Sequence, residues 1–589
     1  MKRILQIITV LAAVFTVAMS AQQTGFRLVE AQTSQQPGNS ITGRIVGDDG
    51  QPLSRALVYI SSTRSAGFQR VEADETGGFR IDGLKPGSYT ISASAPGYAF
   101  PRDRKYYHVG DQVFITMIRG GVITGIVTNS QGEPVTAVRV SAIRVTDSEG
   151  RPLHSPEPST SYYTDDRGIY RIYGLLSGSY IVAANGMGLG YVADFIYKNS
   201  GPTYYPSSTS DTAEKVFVQS GQEVIGIDIR YRGDRGYTVS GTISGAILPL
   251  THSVTLTDIL SGVTYMSVFI RAGNGNNSFS ISGVTDGQYE LVARRVGVGD
   301  DPGAASDVRR IKVTGADVTG IDMRVMPLGA IAGNLILEPL QKTDQKDDCK
   351  GSEGRLLEEY VIQAHPEKNR NSKDKLRSSA VFSQDSSPDD KGDFLIRNLE
   401  SRNYRLNLQL PSEDWYMLAI TQSLDRSGIE KVHDASNGIA VKSGERVTGV
   451  SVTVAEGAGG LRGRVLVSQK VASLPSRLRV HLVPAEADQA NHVLRYAETL
   501  MQSDGAFSFT NVAPGRYWII ARPASNDESS ESGQVPLAWA ERDRAALGRE
   551  AGSKVGVIEI QPCQRITDHK LFYAPEPSKI GEGTLRKRL

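Results

Sequence analysis

Eight histidines, at positions 108, 154, 252, 365, 433, 481, 492 and 569, are the side chains of this sequence best suited to general-base or metal chemistry near neutral pH. Hydrolysis would require one of them beside a nucleophile or a bound metal, and they never fall into H-x-x-x-H or H-E-x-x-H. Their positions read as loops and strand ends. The acidic groups Asp165-Asp166 and Asp389-Asp390-Asp393 offer the hard oxygen ligands that calcium takes, but without the D-x-D-x-D-G order of a calcium loop. They read as side-chain caps of tight turns. No G-x-S-x-G elbow, phosphate-cradling lysine loop or dinucleotide-binding glycine pattern is present, so neither catalysis nor a cofactor is expected. The two cysteines, Cys349 and Cys563, lie far apart and read as lone thiols more readily than as a bridge.

Aromatic pairs are the remaining candidates: Tyr162-Tyr163, Tyr204-Tyr205 within TYYPSS (Thr203 to Ser208), and Trp415-Tyr416. Successive residues of a strand point to opposite faces, so each pair sends one ring outward. An outward ring can stack on the face of a sugar, which makes these six residues the candidate ligand contacts and polysaccharide the candidate partner. The competing reading has the same rings covering the open ends of their own domains.

What would position such rings is visible in a spacing. Phe79 and Tyr89, Tyr170 and Tyr180, Phe279 and Tyr289, Phe394 and Tyr404, and Phe507 and Tyr517 form five aromatic pairs, each ten residues apart. The pairs recur at intervals large enough for each unit to close its own core, which makes this a repeat of domains. Asp and Gly precede the first aromatic, as in DETGGF (Asp74 to Phe79), and mark a tight hairpin. In DGLKPGSYTIS (Asp82 to Ser92) the chain turns through Pro86-Gly87 into a strand whose Tyr89, Ile91 and Ala93 share one face. Upstream, a strand, a Gly-rich turn, a Pro and a second strand recur, as in ITGRIVGDDGQPLSRALVYI (Ile41 to Ile60). Downstream, alternating strands such as TGIDMRV (Thr319 to Val325) close each unit. Short alternating strands with little helical periodicity predict an all-β chain, a tandem array of about five antiparallel β-sandwich domains.

Length and charge agree with that reading. The 589 residues suit four or five domains. The 65 basic and 64 acidic residues are interspersed, which argues against nucleic acid as a partner. Lys2 and Arg3, the apolar run Ile4 to Met19 and the small residues Ala18-Met19-Ser20 read as a signal peptide cut after Ser20. No later stretch is apolar enough to span a bilayer as a helix. The expected product is exported, periplasmic or extracellular, at the cell surface.

The opening unit, TGRIVGDDGQPLSRALVYI followed by DETGGFRIDGLKPGSYTISASAPGY (Asp74 to Tyr98), resembles the carboxypeptidase regulatory-like domain, a transthyretin-like module of carbohydrate-binding-like fold. The second unit is similar throughout, the fifth in most of its length, and the third and fourth around the corner. The resemblance implies a small sandwich without catalytic groups. The expected organisation is a signal peptide (1–20), a linker (21–39), sandwiches at 40–119, 120–234, 235–327, 328–457 and 458–575, and a basic tail (576–589). The fourth carries a polar insert from about Pro339 to Pro388, expected to be solvated loop, and the fifth a short amphipathic helix over Pro536 to Gly548. Short connections such as Arg119-Gly120-Gly121 and Arg232-Gly233-Asp234 suggest an extended, partly flexible rod. The resulting expectation is a non-catalytic scaffold, spacer or adhesive protein with envelope proteins as partners. Polysaccharide binding through the exposed aromatics is the alternative.

Overall fold

The structure, a computed structural model, describes residues 39–573 apart from 65–66, 102–104, 159–160, 186–199, 246–250, 260–263, 272–276, 296–302, 341–355, 368–384, 427–428, 468–473, 476, 525–539 and 555. The expected signal peptide, nearly all of the linker, the basic tail, the charged runs 342–348 and 368–375, and Cys349 lie outside the described residues. The described chain is almost entirely strand, as short alternating segments dictate. It divides into two compact units, residues 1–95 with 104–116, and residues 96–103 with 117–589.

In the first unit, Gly78–Ile81, Ile41–Gly47 and Gln112–Arg119 lie side by side, and a second sheet runs Phe68–Glu72, Leu57–Ser62, Ser88–Ser94 and Tyr106–His108. Ile45, Val58, Ile60, Phe79, Tyr89 and Ile115 are buried. The sheets bury one face each, which is why Val113 and Ile115 point in while Phe114 between them is exposed.

The second unit holds four successive core clusters. The first runs from Ile123 to Tyr231, the second from Val239 to Val325, the third from Ile331 to Val454 and the fourth from Leu461 to Tyr573. Around the third, a five-stranded sheet built on Gly329–Glu338 and Arg446–Glu456 faces a four-stranded sheet built on Val361–Pro366 and Arg402–Gln409. Around the second cluster there is one eight-stranded sheet, because the short strand Ala304–Ser306 pairs with both Gly287–Arg295 and Val318–Pro327 and joins the two faces.

Pairing departs from a purely antiparallel plan at one place in each of these clusters. The opening strand runs parallel to the closing one: Gly121–Thr128 with Ile229–Arg230, Tyr237–Gly245 with Val318–Pro327, Gly329–Glu338 with Arg446–Glu456, and Gly459–Val467 with Arg565–Tyr573. The chain reaches the closing position by crossing from the opposite sheet, so it enters at the same end as the opening strand. In the first of these clusters the expected closing strand IGIDIRY (Ile225 to Tyr231) is strand only at Ile229–Arg230, and a second short piece, Glu223–Val224, pairs in parallel just before it. Gly226 with φ of 75° breaks it, and the Asp228 carboxylate takes the Ile126 N–H at 2.9 Å in place of a backbone carbonyl.

Two other expectations need correction. The insert assigned to Pro339–Pro388 contains the strand Val361–Pro366, whose Ile362 and Ala364 belong to the core together with Tyr360. Only six residues long and flanked by charged sequence, it carries too short an apolar run to register as periodicity. The helix occupies Glu541–Lys554, beginning later and ending later than expected. It packs Leu547 and Ala551 on Val483 and Ile520, on the outer face of a sheet whose inner face holds Leu482 and Ile519. Both faces of that sheet are therefore buried, which accounts for the adjacent apolar pairs Leu482-Val483 and Ile519-Ile520 within Leu478–Pro484 and Gly515–Pro523.

Candidate functional site

The residues that looked chemical in sequence are mostly building the corner. Its first aromatic sits opposite a glycine of the opening strand in every case: Phe79 by Gly43, Tyr170 by Gly125, Phe279 by Gly241, Phe394 by Gly333 and Phe507 by Gly463. At Gly43, Gly333 and Gly463 the ring lies over the bare Cα. A methyl group at Gly333 would come 2.6 Å from the Phe394 ring and 2.2 Å from the Val450 carbonyl oxygen. The residue four past each aromatic, Gly83, Gly174, Gly283, Asn398 or Asn511, has φ between 56° and 75°, a conformation open to glycine and tolerated by asparagine. The second aromatic is a buried tyrosine whose hydroxyl donates to the carbonyl four residues earlier: Tyr89 to Lys85 at 2.6 Å, Tyr180 to Leu176 at 2.6 Å, Tyr289 to Thr285 at 2.9 Å, Tyr404 to Glu400 at 3.1 Å and Tyr517 to Ala513 at 2.7 Å. Burial raises the pKa of Tyr89, Tyr289 and Tyr517, with Tyr289 pushed up to about 12, so each remains a neutral donor.

The carboxylates cap the hairpin before the corner. Asp74 accepts from Thr76 N, Thr76 Oγ1 and Gly78 N, each at 2.8 Å; Asp165 accepts from Ile169 N at 2.7 Å and Asp389 from Asp393 N at 2.9 Å. The Thr76 hydroxyl foremost holds Asp74 below the usual carboxylate range, and the Ile169 amide does the same for Asp165. No group of three or more potential metal ligands occurs among the described residues.

Histidines lie inside strands more than the expectation of loops and strand ends allows. His252 and His481 are fully enclosed, and desolvation lowers the pKa of His365, His492 and His569. His481 Nδ1 stands 3.4 Å from Glu498, whose carboxylate also takes Arg479 at 2.5 Å. An imidazole and a carboxylate form part of a catalytic arrangement, but this pair is sealed between strands. Cys563 is not a lone thiol: it is disulfide-bonded, and the only other cysteine of the sequence is Cys349.

Of the six candidate aromatics, two are removed from any surface. Tyr204 is 0% exposed and packs with Ile181 and Ala183 beneath its own loop, while Tyr205 is half-buried against the core. Trp415 is 6% exposed and belongs to the core of its cluster. Its carbonyl, with that of Ser412, accepts from Asn511 Nδ2, both at 2.7 Å. Nearby, Arg565 donates to Ala458 O, Glu413 O at 3.0 Å and Asp414 Oδ1 at 2.8 Å, and Arg544 donates to Asn437 at 3.0 Å. Trp415 and the half-buried Tyr416 thus lie where the 329–456 and 459–573 stretches are fastened together.

Tyr162 and Tyr163 are placed differently. Tyr163 is 45% exposed; Tyr162 is half-buried against the core, as Tyr205 is, and meets Tyr173, a residue the sequence reading passed over, with ring centroids 5.0 Å apart at 44°. Tyr173 is 39% exposed because it alternates outward with Arg171 while Tyr170 and Ile172 point into the core. Arg171 pairs with Glu223 at 3.1 Å, and Thr124 donates to the same carboxylate at 3.1 Å. That alternation in IYRIYGL was the available signal.

Residues 40–111 match the carboxypeptidase regulatory-like domain family. No curated protein matches the chain. Solved structures similar to it include the TIE protein of Bacillus anthracis, at 13% identity over 49% of this chain with a TM-score of 0.14, where the match spans 50% of that protein. They also include GBS52, the minor pilin of Streptococcus agalactiae (13% identity, 33% of this chain, 95% of that one, TM-score 0.19). BcpA, the major pilin subunit of Bacillus cereus, is similar at 10% identity over 49% of this chain and 99% of its own, with a TM-score of 0.13. At such values a likeness carries nothing about what the present chain binds.

Proposed function

We propose that this chain, which carries a carboxypeptidase regulatory-like domain at residues 40–111, is an exported, non-catalytic scaffold or spacer of the cell surface. One observation carries the reading: the side chains with chemical potential are used in construction. Aspartates cap hairpins, tyrosines lock corners, and Arg565, Asn511 and Arg544 fasten one stretch to the next. The connections support the same reading, since a single residue, Leu328, separates Val318–Pro327 from Gly329–Glu338 and only Gly457-Ala458 separate Arg446–Glu456 from Gly459–Val467. Such joints leave little slack between sandwiches. A disulfide at Cys563 suits an oxidising compartment.

Fractionation of producing cells, with N-terminal sequencing of the recovered protein, tests the reading. The expected result is a chain beginning at Ala21 in the envelope or the medium; a cytoplasmic chain retaining Met1 would overturn it.

A further inference from the structure

We propose that Tyr162 and Tyr173, with the Arg171–Glu223 pair beside them, form a binding site for a neutral polysaccharide. Tyr162 comes from the two-residue strand Tyr162–Tyr163, attached to Arg139–Thr146 of one sheet, and Tyr173 from Ile169–Leu175 of the other. The ring pair therefore bridges the two sheets at their edge. Tyr162 also packs against the core between the sheets, so the ring pair is held in place without a ligand. That fixed geometry matters because ordering loose rings on binding would cost free energy.

The shape and charge of the patch select the ligand. A centroid spacing of 5.0 Å is about the length of one pyranose unit, and the 44° tilt suits a chain that twists from one residue to the next. An aromatic face attracts the slightly positive C–H groups of a sugar ring, and flat polar groups alongside take its hydroxyls. Arg171 and Glu223 supply both a donor fork and a carboxylate within the same sheet, and Thr124 anchors the carboxylate from the adjoining strand. Because Arg171 is matched by Glu223, the patch has no net charge to attract an anionic chain. Tyr163 alternates to the opposite side of its strand and stands outside the patch.

Affinity electrophoresis of the full chain in gels containing laminarin, hydroxyethylcellulose, soluble starch or mannan, with alginate as the anionic control, tests the site. Retardation by at least one neutral glycan is expected, with about a tenfold loss of affinity in Tyr173→Ala and in Tyr162→Ala. Tyr173→Phe keeps the ring and is expected to keep most of the binding, and Phe114→Ala, an exposed ring of the first unit, to leave it unchanged. Circular dichroism of each variant separates lost binding from lost fold. Retardation by no neutral glycan, equal retardation of Tyr173→Ala, preference for alginate, or capture of a protein by this face would each overturn the proposal.

Discussion

A glycine that looks like a turn residue in sequence is here a seat for an aromatic ring. Gly333 lies in a strand, opposite Phe394 and against the Val450 carbonyl, and its value is the missing side chain. A Gly333→Ala change forces either the ring or the parallel neighbour to move, at a cost of about 3 kcal/mol. Calorimetry of the full chain should show the transition of that sandwich falling by about 10 °C, and a change within error would show that the ring is not seated there. The same logic separates what the sequence discloses from what it hides. The ten-residue aromatic spacing announced the corner, and the buried tyrosines answer it. The role of each opposing glycine could not be read, because it depends on a partner strand more than thirty residues away: Gly43 and Phe79 meet only once both strands are in place.

Among elements, those with a regular alternation were legible, and a short strand flanked by charged sequence was not. The closing strands of the second and third clusters of the second unit, Val318–Pro327 and Arg446–Glu456, alternate and were found; Val361–Pro366 was hidden in an apparent insert. The helix Glu541–Lys554 was legible as a helix but not in its docking, since its partners Val483 and Ile520 look like ordinary core residues of their strands. Its apolar contact with the sheet is narrow, centred on Leu547 and Ala551, with the Arg522 and Glu550 side chains paired at its border. Leu547→Ala should therefore remove about 3 kcal/mol of helix docking. Hydrogen exchange would show it as faster exchange along the helix with the inner core still protected; protection of the helix at wild-type levels would place its stability elsewhere. The outward tyrosine of Ile169–Leu175 shows the limit of reading by adjacency. A search for neighbouring aromatics found Tyr162-Tyr163 and missed Tyr173, which joins them only through the packing of the two sheets.

For the whole molecule, the fasteners between the 329–456 and 459–573 stretches imply shared stability. Arg565 makes charge-assisted bonds to the preceding stretch and Asn511 holds two of its carbonyls, interactions worth about 1–3 kcal/mol each. These two stretches should melt in one transition in the native chain. In an Arg565→Ala/Asn511→Ala double variant they should separate into two, as seen by differential scanning calorimetry under oxidising conditions; two transitions in the unaltered chain, or one in the variant, would show that the fasteners do not couple them. Sequence could suggest tandem sandwiches but not this coupling, because the residues involved are single polar side chains more than ninety positions apart.

The parallel pairing of opening and closing strands has a mechanical consequence. In the stretch from Gly329–Glu338 to Arg446–Glu456, the chain enters at the start of one strand and leaves at the finish of its parallel neighbour. Tension along the chain then pulls the two strands past one another, loading their hydrogen bonds together in shear. An antiparallel hairpin pulled from its two ends would open bond by bond, like a zipper. The same arrangement in Tyr237–Gly245 with Val318–Pro327 and in Gly459–Val467 with Arg565–Tyr573 gives each of these sandwiches a built-in resistance to being drawn out by force.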